Sequence, residues 1–242
     1  MKTCSSIIEA LGINNRNKAI SVVGGGGKTS LVYRMTEDFL TQRKKVIITT
    51  TTHMRYEPNR PFAQDGDIEE IKNNIEKNGY TFTGVKESNT GKIASLKKIT
   101  IDELINVADV ILIEADGSRG LPLKVPAQWE PVIPEISNLV IGVMGLDALG
   151  KQINKICHRS EMVADFLEKN CEDYITETDM IKIASSPKGL KKNCQNRGYR
   201  VFLNKCDIMM NSTAAHNISM RMIHENHIIS AYGSLKNNIY NY

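Results

Sequence analysis

Residues 22–30 read VVGGGGKTS. Four consecutive glycines, Gly24, Gly25, Gly26 and Gly27, lead into Lys28, Thr29 and Ser30. The run before them, Ala19 to Val23, is short, apolar and rich in β-branched residues, as in a strand buried on both faces. The residues after them, Thr29 to Gln42, carry the apolar spacing of an amphipathic helix. A glycine turn between a strand and a helix lets backbone N–H groups converge on an anion, and the helix dipole adds to their field. The common spacing of such a loop is G-x-x-x-x-G-K-[ST]. That spacing demands a glycine where Val22 stands.

A different register removes the conflict. Gly24-x-x-Gly27-Lys28-Thr29 is a loop two residues shorter, and Val22 belongs to the strand. The short form resembles the G-x-x-G-K-[ST] loop of the Mur-type ligases. In this register the amides of Gly24 to Ser30 cradle the phosphates, and Lys28 reaches the β- and γ-phosphates. Thr29 binds Mg²⁺ through its hydroxyl. A glycine loop with a purely structural task has no need of a Lys-Thr pair at the start of a helix.

Five further apolar runs follow: Lys45 to Thr50, Val110 to Glu114, Leu139 to Met144, Arg200 to Asn204 and His227 to Ser230. Helical patterns lie between them, at Thr100 to Val107, Ser160 to Lys169 and Ala214 to Glu225. Strand alternating with helix predicts an α/β fold of three layers, P-loop NTPase-like, around a mainly parallel sheet. The whole chain, residues 1–242, reads as a single domain with insertions near 53–100 and 117–135. The first insertion contains a polar helix, Asp67 to Asn78, and a hairpin. The second is the proline-rich stretch GSRGLPLKVPAQWEPVIPE, whose length and apolar content predict an ordered functional loop.

Three strand ends carry chemistry. VILIEADG places Glu114 and Asp116 at the end of the third run. A carboxylate there holds Mg²⁺ or orients a water beside a phosphate loop, and the sequence does not rank the two. VFLNKCD places Asn204, Lys205 and Asp207 after the fifth run. N-K-x-D matches the guanine-reading motif of GTPases, in which one carboxylate accepts from both N–H donors of guanine and leaves adenine without a match. Ser230-Ala231 resembles the S-A motif that follows in those enzymes and contacts the base. TTTTHM places Thr52 and His53 at the end of the second run, facing the phosphates or a second substrate, because ligands gather at the carboxyl ends of parallel strands. CHRSE brings His158 and Arg159 to a helix start as anion contacts, with Ser160 a candidate cap. Cys157 has no partner at a ligand spacing and is not expected to act as a nucleophile or metal ligand.

The 31 basic and 27 acidic side chains leave a net charge of +4, with no dense basic block. Nucleic-acid binding is therefore not expected. Five cysteines, an odd number without close pairing, argue against a disulfide framework and a structural zinc site. No apolar run reaches a membrane-spanning length, and the expectation is a reduced, cytoplasmic protein.

The segments VVGGGGKTSL, TTTTHM, IEADGSRGLPLKVPAQWEPVIP, GLDALGK, HRSE and NKCD come in the order seen in the YqeC-type family, which this chain resembles from about residue 5 to 232. Those proteins are named as accessory proteins of selenium-dependent molybdenum hydroxylases. The resemblance implies a role in assembling such a hydroxylase, with the hydroxylase or its cofactor as partner. It also implies unusual loops around a nucleotide site: one with Arg119, Lys124 and Trp129, the other with His158 and Arg159, where a second substrate or partner sits. Three functions stay open. One is a Mg²⁺-dependent triphosphatase with GTP favoured over ATP. The others are an ATP-dependent small-molecule kinase or ligase and a non-catalytic, nucleotide-gated binding protein.

Overall fold

The structure is a computed structural model that describes residues 3–87, 90–208 and 212–242. The strand that leads into the glycine loop, Ala19–Gly24, runs through the middle of the sheet. It pairs in parallel with Val110–Glu114 on one side and Leu139–Gly145 on the other. Beyond Val110–Glu114 come Val46–Thr50 and Tyr80–Lys86, also parallel. Beyond Leu139–Gly145 come Gly198–Asn204 and Ile229–Ser234, parallel again. Antiparallel strands finish both sides. Ile239–Asn241 and Thr3–Cys4 close one, and Lys92–Ala94 with His53–Arg55 form a small lobe at the other.

Alternate residues of the central strands face different layers, which is why these strands read as continuously apolar. Ile20 and Val22 join Leu31, Val32, Met35 and Phe39 of the helix Lys28–Thr41. Val23, Val140, Met144, Val201 and Leu203 face the other way, onto helices Ser160–Leu167, Glu177–Ser185 and Ser212–Asn226. Ile47, Ile111 and Ile113 pack beneath the helix Ile68–Asn78. The result is the three-layer α/β arrangement that the sequence predicts.

Two expectations change. Tyr80–Lys86 was expected within an insertion, yet it is an integral strand beside Val46–Thr50. The last run extends to Ser234, four residues past the predicted end. The helix Glu177–Ser185, opened by a Thr176–Asp179 capping box, was not anticipated because its surroundings are polar.

The connection out of Ala19–Gly24 goes to one side of the sheet, and the chain later returns to fill its other side. The carboxyl ends Gly24, Glu114, Thr50, Gly145 and Asn204 therefore meet around one crevice, where ligands of open α/β sheets bind. The proline-rich stretch folds over this crevice. Its two-residue strand Leu123–Lys124 pairs with Cys157–His158, and Lys124 lies opposite His158.

Candidate functional site

The glycine loop divides into two halves. The Gly24 N–H donates to both Asp116 oxygens, at 3.0 and 3.1 Å. The Gly25 N–H donates to the Val143 carbonyl at 2.9 Å, and the Gly26 N–H to the Leu121 carbonyl at 3.0 Å. These three residues are buried. The expectation that all four glycine amides face phosphate is thus corrected: Gly24, Gly25 and Gly26 fasten the loop to its surroundings. Gly26 shows why glycine is required. Its φ is +74°, and a Cβ would collide with the backbone of Gly145.

The second half opens outward. Gly27 caps the helix without a side chain, and among the described residues no side chain hydrogen-bonds the first helical amides. Gly27 and Thr29 are partly exposed and Ser30 is exposed. The N–H groups of Gly27, Lys28, Thr29 and Ser30 and the helix dipole give this half the character of an anion-binding helix start.

Lys28 is 4% exposed, and its ammonium is surrounded by acceptors. It donates to the Gly24 carbonyl at 2.7 Å and to the Ser118 hydroxyl at 3.4 Å, with Asp116 at 3.3 Å and Glu114 at 3.8 Å. The Thr29 hydroxyl donates to Glu114 at 2.7 Å. Burial holds the Glu114 carboxyl above its ordinary value, against the pull of Lys28 and the Thr29 hydrogen bond, and Asp116 adds to the rise.

The structure separates the two carboxylates that the sequence left unranked. Asp116 is fully buried, and its oxygens are engaged by the Gly24 amide, Lys28 and, at 3.1 Å, Lys124. It anchors the loop. Glu114 lies beside Thr29 at the open half, where a metal carried by a nucleotide would sit. Thr29 and Glu114 suit Mg²⁺, which takes one or two carboxylates and completes its shell with phosphate and water. Among the described residues no group of three or more His, Cys, Asp or Glu is placed to hold a metal without such help.

A second network continues from Asp116. Lys124 is fully buried and donates to Glu130 at 2.6 Å and to the Gly117 carbonyl at 2.8 Å. Arg159 reaches Glu130 with two nitrogens, at 2.6 and 3.3 Å. Burial alone would raise the Glu130 carboxyl, but Arg159, Lys124 and the Ala127 amide bring it down to about 2. Arg159 also sits over the Trp129 ring, 5.4 Å from its centroid. Glu130 was missed in the sequence. Its one signal is that it is the only acid in residues 117–134.

The family model for the YqeC protein matches residues 20–161. "Uncharacterized protein YqeC" of Escherichia coli (strain K12) is 36% identical over 217 residues, which is 87% of this chain and 84% of that protein. The chain belongs to the YqeC family. A solved structure of FlhF complexed with GMPPNP/Mg(2+) aligns over 88% of this chain with a TM-score of 0.42 and 16% identity, and this chain spans 65% of that one.

The other candidate residues of this YqeC-family chain are placed as follows. Asn204 bridges the loop and the neighbouring strand end, donating to the Gly26 carbonyl at 2.8 Å and accepting from the Leu235 N–H at 3.1 Å. Its carboxamide holds the loop, with one of its two N–H donors engaged by Gly26 and its oxygen by Leu235. Lys205 is drawn to Asp147 at 2.6 Å. Asp207 is exposed on the turn Cys206–Ile208. Ser230 and Ala231 are fully buried in mid-strand, so their expected base contact is also corrected; the strand reaches the crevice at residues 233–235.

Thr52 has a buried hydroxyl without a partner among the described residues, and His53 leaves the crevice for the antiparallel lobe, where its Nε2 lies 3.0 Å from Glu87. Arg119 and His158 line a cavity with Arg159. Ser160 is the first helical residue and Arg159 the cap, in a left-handed conformation, which corrects the expected Ser160 cap. Burial pushes the Cys157 thiol up to about 12, so it is no thiolate at neutral pH. Among the described residues no helix is long and apolar enough to cross a membrane.

Proposed function

We propose that the chain is a Mg²⁺-dependent nucleoside triphosphatase, with GTP favoured over ATP. The observation that carries this reading is the meeting of Lys28, Thr29 and Glu114 at the uncapped start of the helix Lys28–Thr41. The amides of Gly27 to Ser30 bind the phosphate oxygens. Lys28 exchanges its present acceptors for the β- and γ-phosphates and stabilises charge on them during transfer. Thr29 and Glu114 hold Mg²⁺, which neutralises phosphate charge when bound. Asn204 ties the end of its strand to the glycine loop, and Asp207 stands exposed on the turn that follows; this placement supports the guanine preference.

The resemblance to accessory proteins of selenium-dependent molybdenum hydroxylases supports a place for this activity in the maturation of such an enzyme. The cavity bounded by Arg119, His158 and Arg159 favours a second reading, in which the phosphoryl group passes to a co-substrate.

Calorimetric binding of GTP and ATP with Mg²⁺, and phosphate release from each, test the first reading with wild type, Lys28→Met and Asp207→Ala. Lys28→Met is expected to weaken nucleotide binding about 10- to 150-fold, because a hydrogen bond to a charged group contributes about 1.5–3 kcal/mol. No binding of either nucleotide by the wild type would overturn the proposal. Binding with turnover only when a co-substrate is added would favour transfer.

A further inference from the structure

A cavity of about 370 Å³ is lined by Gly117, Arg119, Glu130, His158 and Arg159. This size falls within the range of small-molecule sites, about 300–1,000 Å³. The cavity shares a wall with the phosphate loop. Asp116 takes Lys28 on one oxygen and Lys124 on the other, and Lys124 bonds to Gly117 and Glu130 of the lining.

The charges of the lining do not balance. Glu130 answers Arg159 and shares Lys124 with Asp116. Arg119 is exposed and has no acidic partner among the described residues. His158 is 8% exposed and lines the cavity, and its ring makes no hydrogen bond among the described residues. Burial, then the charges of Arg159 and Lys124, hold the imidazole below its ordinary value against the pull of Glu130, so it faces the cavity neutral at pH 7. One positive charge and one buried ring without a partner thus face the same space. Trp129 is 70% exposed and its ring lies against Arg159, one of the lining residues, 5.4 Å from the guanidinium carbon to the ring centroid.

We propose that this cavity binds the oxyanion group, carboxylate or phosphate, of a small second substrate. Arg119 supplies the charge, His158 a neutral hydrogen bond, and Trp129 a surface for the rest of the molecule. The word substrate rests on the nucleotide reading above; the anion site itself does not.

Trp129 is the only tryptophan in the chain, so its emission reports on this rim. The full chain would be titrated separately with inorganic phosphate and with succinate, as wild type, Lys28→Met and Arg119→Asn. Asparagine is chosen because Arg119 has a φ of +52°, which asparagine tolerates. Circular dichroism confirms that each variant is folded.

At least one anion is expected to change the emission saturably, and the anion that does so names the group. The response should persist in Lys28→Met and require at least about tenfold more anion in Arg119→Asn. Three results would each overturn the proposal: no saturable response to either anion, a response lost in folded Lys28→Met, or unchanged affinity in Arg119→Asn. GTP binding is measured in a separate titration. Its absence beside a positive anion response would remove the nucleotide reading and leave the anion site standing.

Discussion

The Thr29 hydroxyl meets the Glu114 carboxylate at 2.7 Å, joining the first turn of the loop helix to the end of the neighbouring strand. Glu114 is 6% exposed and has its carboxyl held above the ordinary value, chiefly by burial. Its ionised form therefore opposes folding until a cation arrives. Glu114→Gln is expected to change two properties in opposite directions. Without Mg²⁺, wild type loses stability as pH rises through the folded value of Glu114, a loss that Gln, which does not ionise, escapes. Thermal unfolding at pH 7 should then rise by about 2–4 °C for each kcal/mol relieved. Nucleotide hydrolysis should fall at least about 10- to 100-fold, the cost of losing even a group that only orients a metal's ligands. Melting curves and phosphate release check the two halves.

Gly26→Ala combines an unfavourable φ with a collision against Gly145. It should destabilise by more than about 1 kcal/mol, since the left-handed backbone and the close approach both oppose a Cβ. The urea midpoint measures this. Nucleotide binding should be lost even where the variant remains folded, because a shifted Gly26 also moves Asn204.

Asn204 and Asp207 belong to one motif but make separable predictions. Asn204→Ala leaves the buried Gly26 carbonyl and the Leu235 N–H without their partner, at a cost of about 1–3 kcal/mol each. GTP and ATP affinity should fall together. Asp207→Ala removes an exposed side chain, so stability should change by no more than about 0.5 kcal/mol. Only the preference for GTP should fall. A competition titration of the two nucleotides against each variant distinguishes these outcomes.

Glu130 gives the chain an acid-sensitive joint. Its folded value of about 2 lies below the ordinary 4.5, so the unfolded chain takes up this proton first. The stability it contributes is present above pH 4.5 and lost as pH falls toward 2. Arg159→Ala removes the largest single hydrogen bond that lowers it, so the folded value moves up toward 4.5 and the loss should be smaller and complete at a higher pH. Urea midpoints between pH 7 and pH 3 for wild type and variant measure the displacement.

The central strands were legible because both faces are buried, which leaves an uninterrupted apolar run with little to confuse it. The join of strand, glycine loop and helix at Lys28 was legible because the three are contiguous in sequence. Tyr80–Lys86 was legible as half of a hairpin, because its later residues do pair antiparallel with Lys92–Ala94, but its parallel place beside Val46–Thr50 was not. Ser230-Ala231 misled because a two-letter motif carries no register, and three more residues of strand moved the crevice past it. The Asp116–Lys124–Glu130–Arg159 network was not legible at all. It depends on Leu123–Lys124 meeting Cys157–His158, a pairing of two residues on each side with no periodicity of its own.

The two-part construction of the glycine loop has a consequence for amide exchange. The N–H groups of Gly24, Gly25 and Gly26 are bonded to buried acceptors and should trade hydrogen for deuterium only on deep opening of the sheet. Those of Gly27, Lys28, Thr29 and Ser30, with no side-chain cap over them, should trade within the dead time of most experiments. The boundary between slow and fast thus falls inside a run of four identical residues. A bound triphosphate would register as protection gained on one side of that boundary alone.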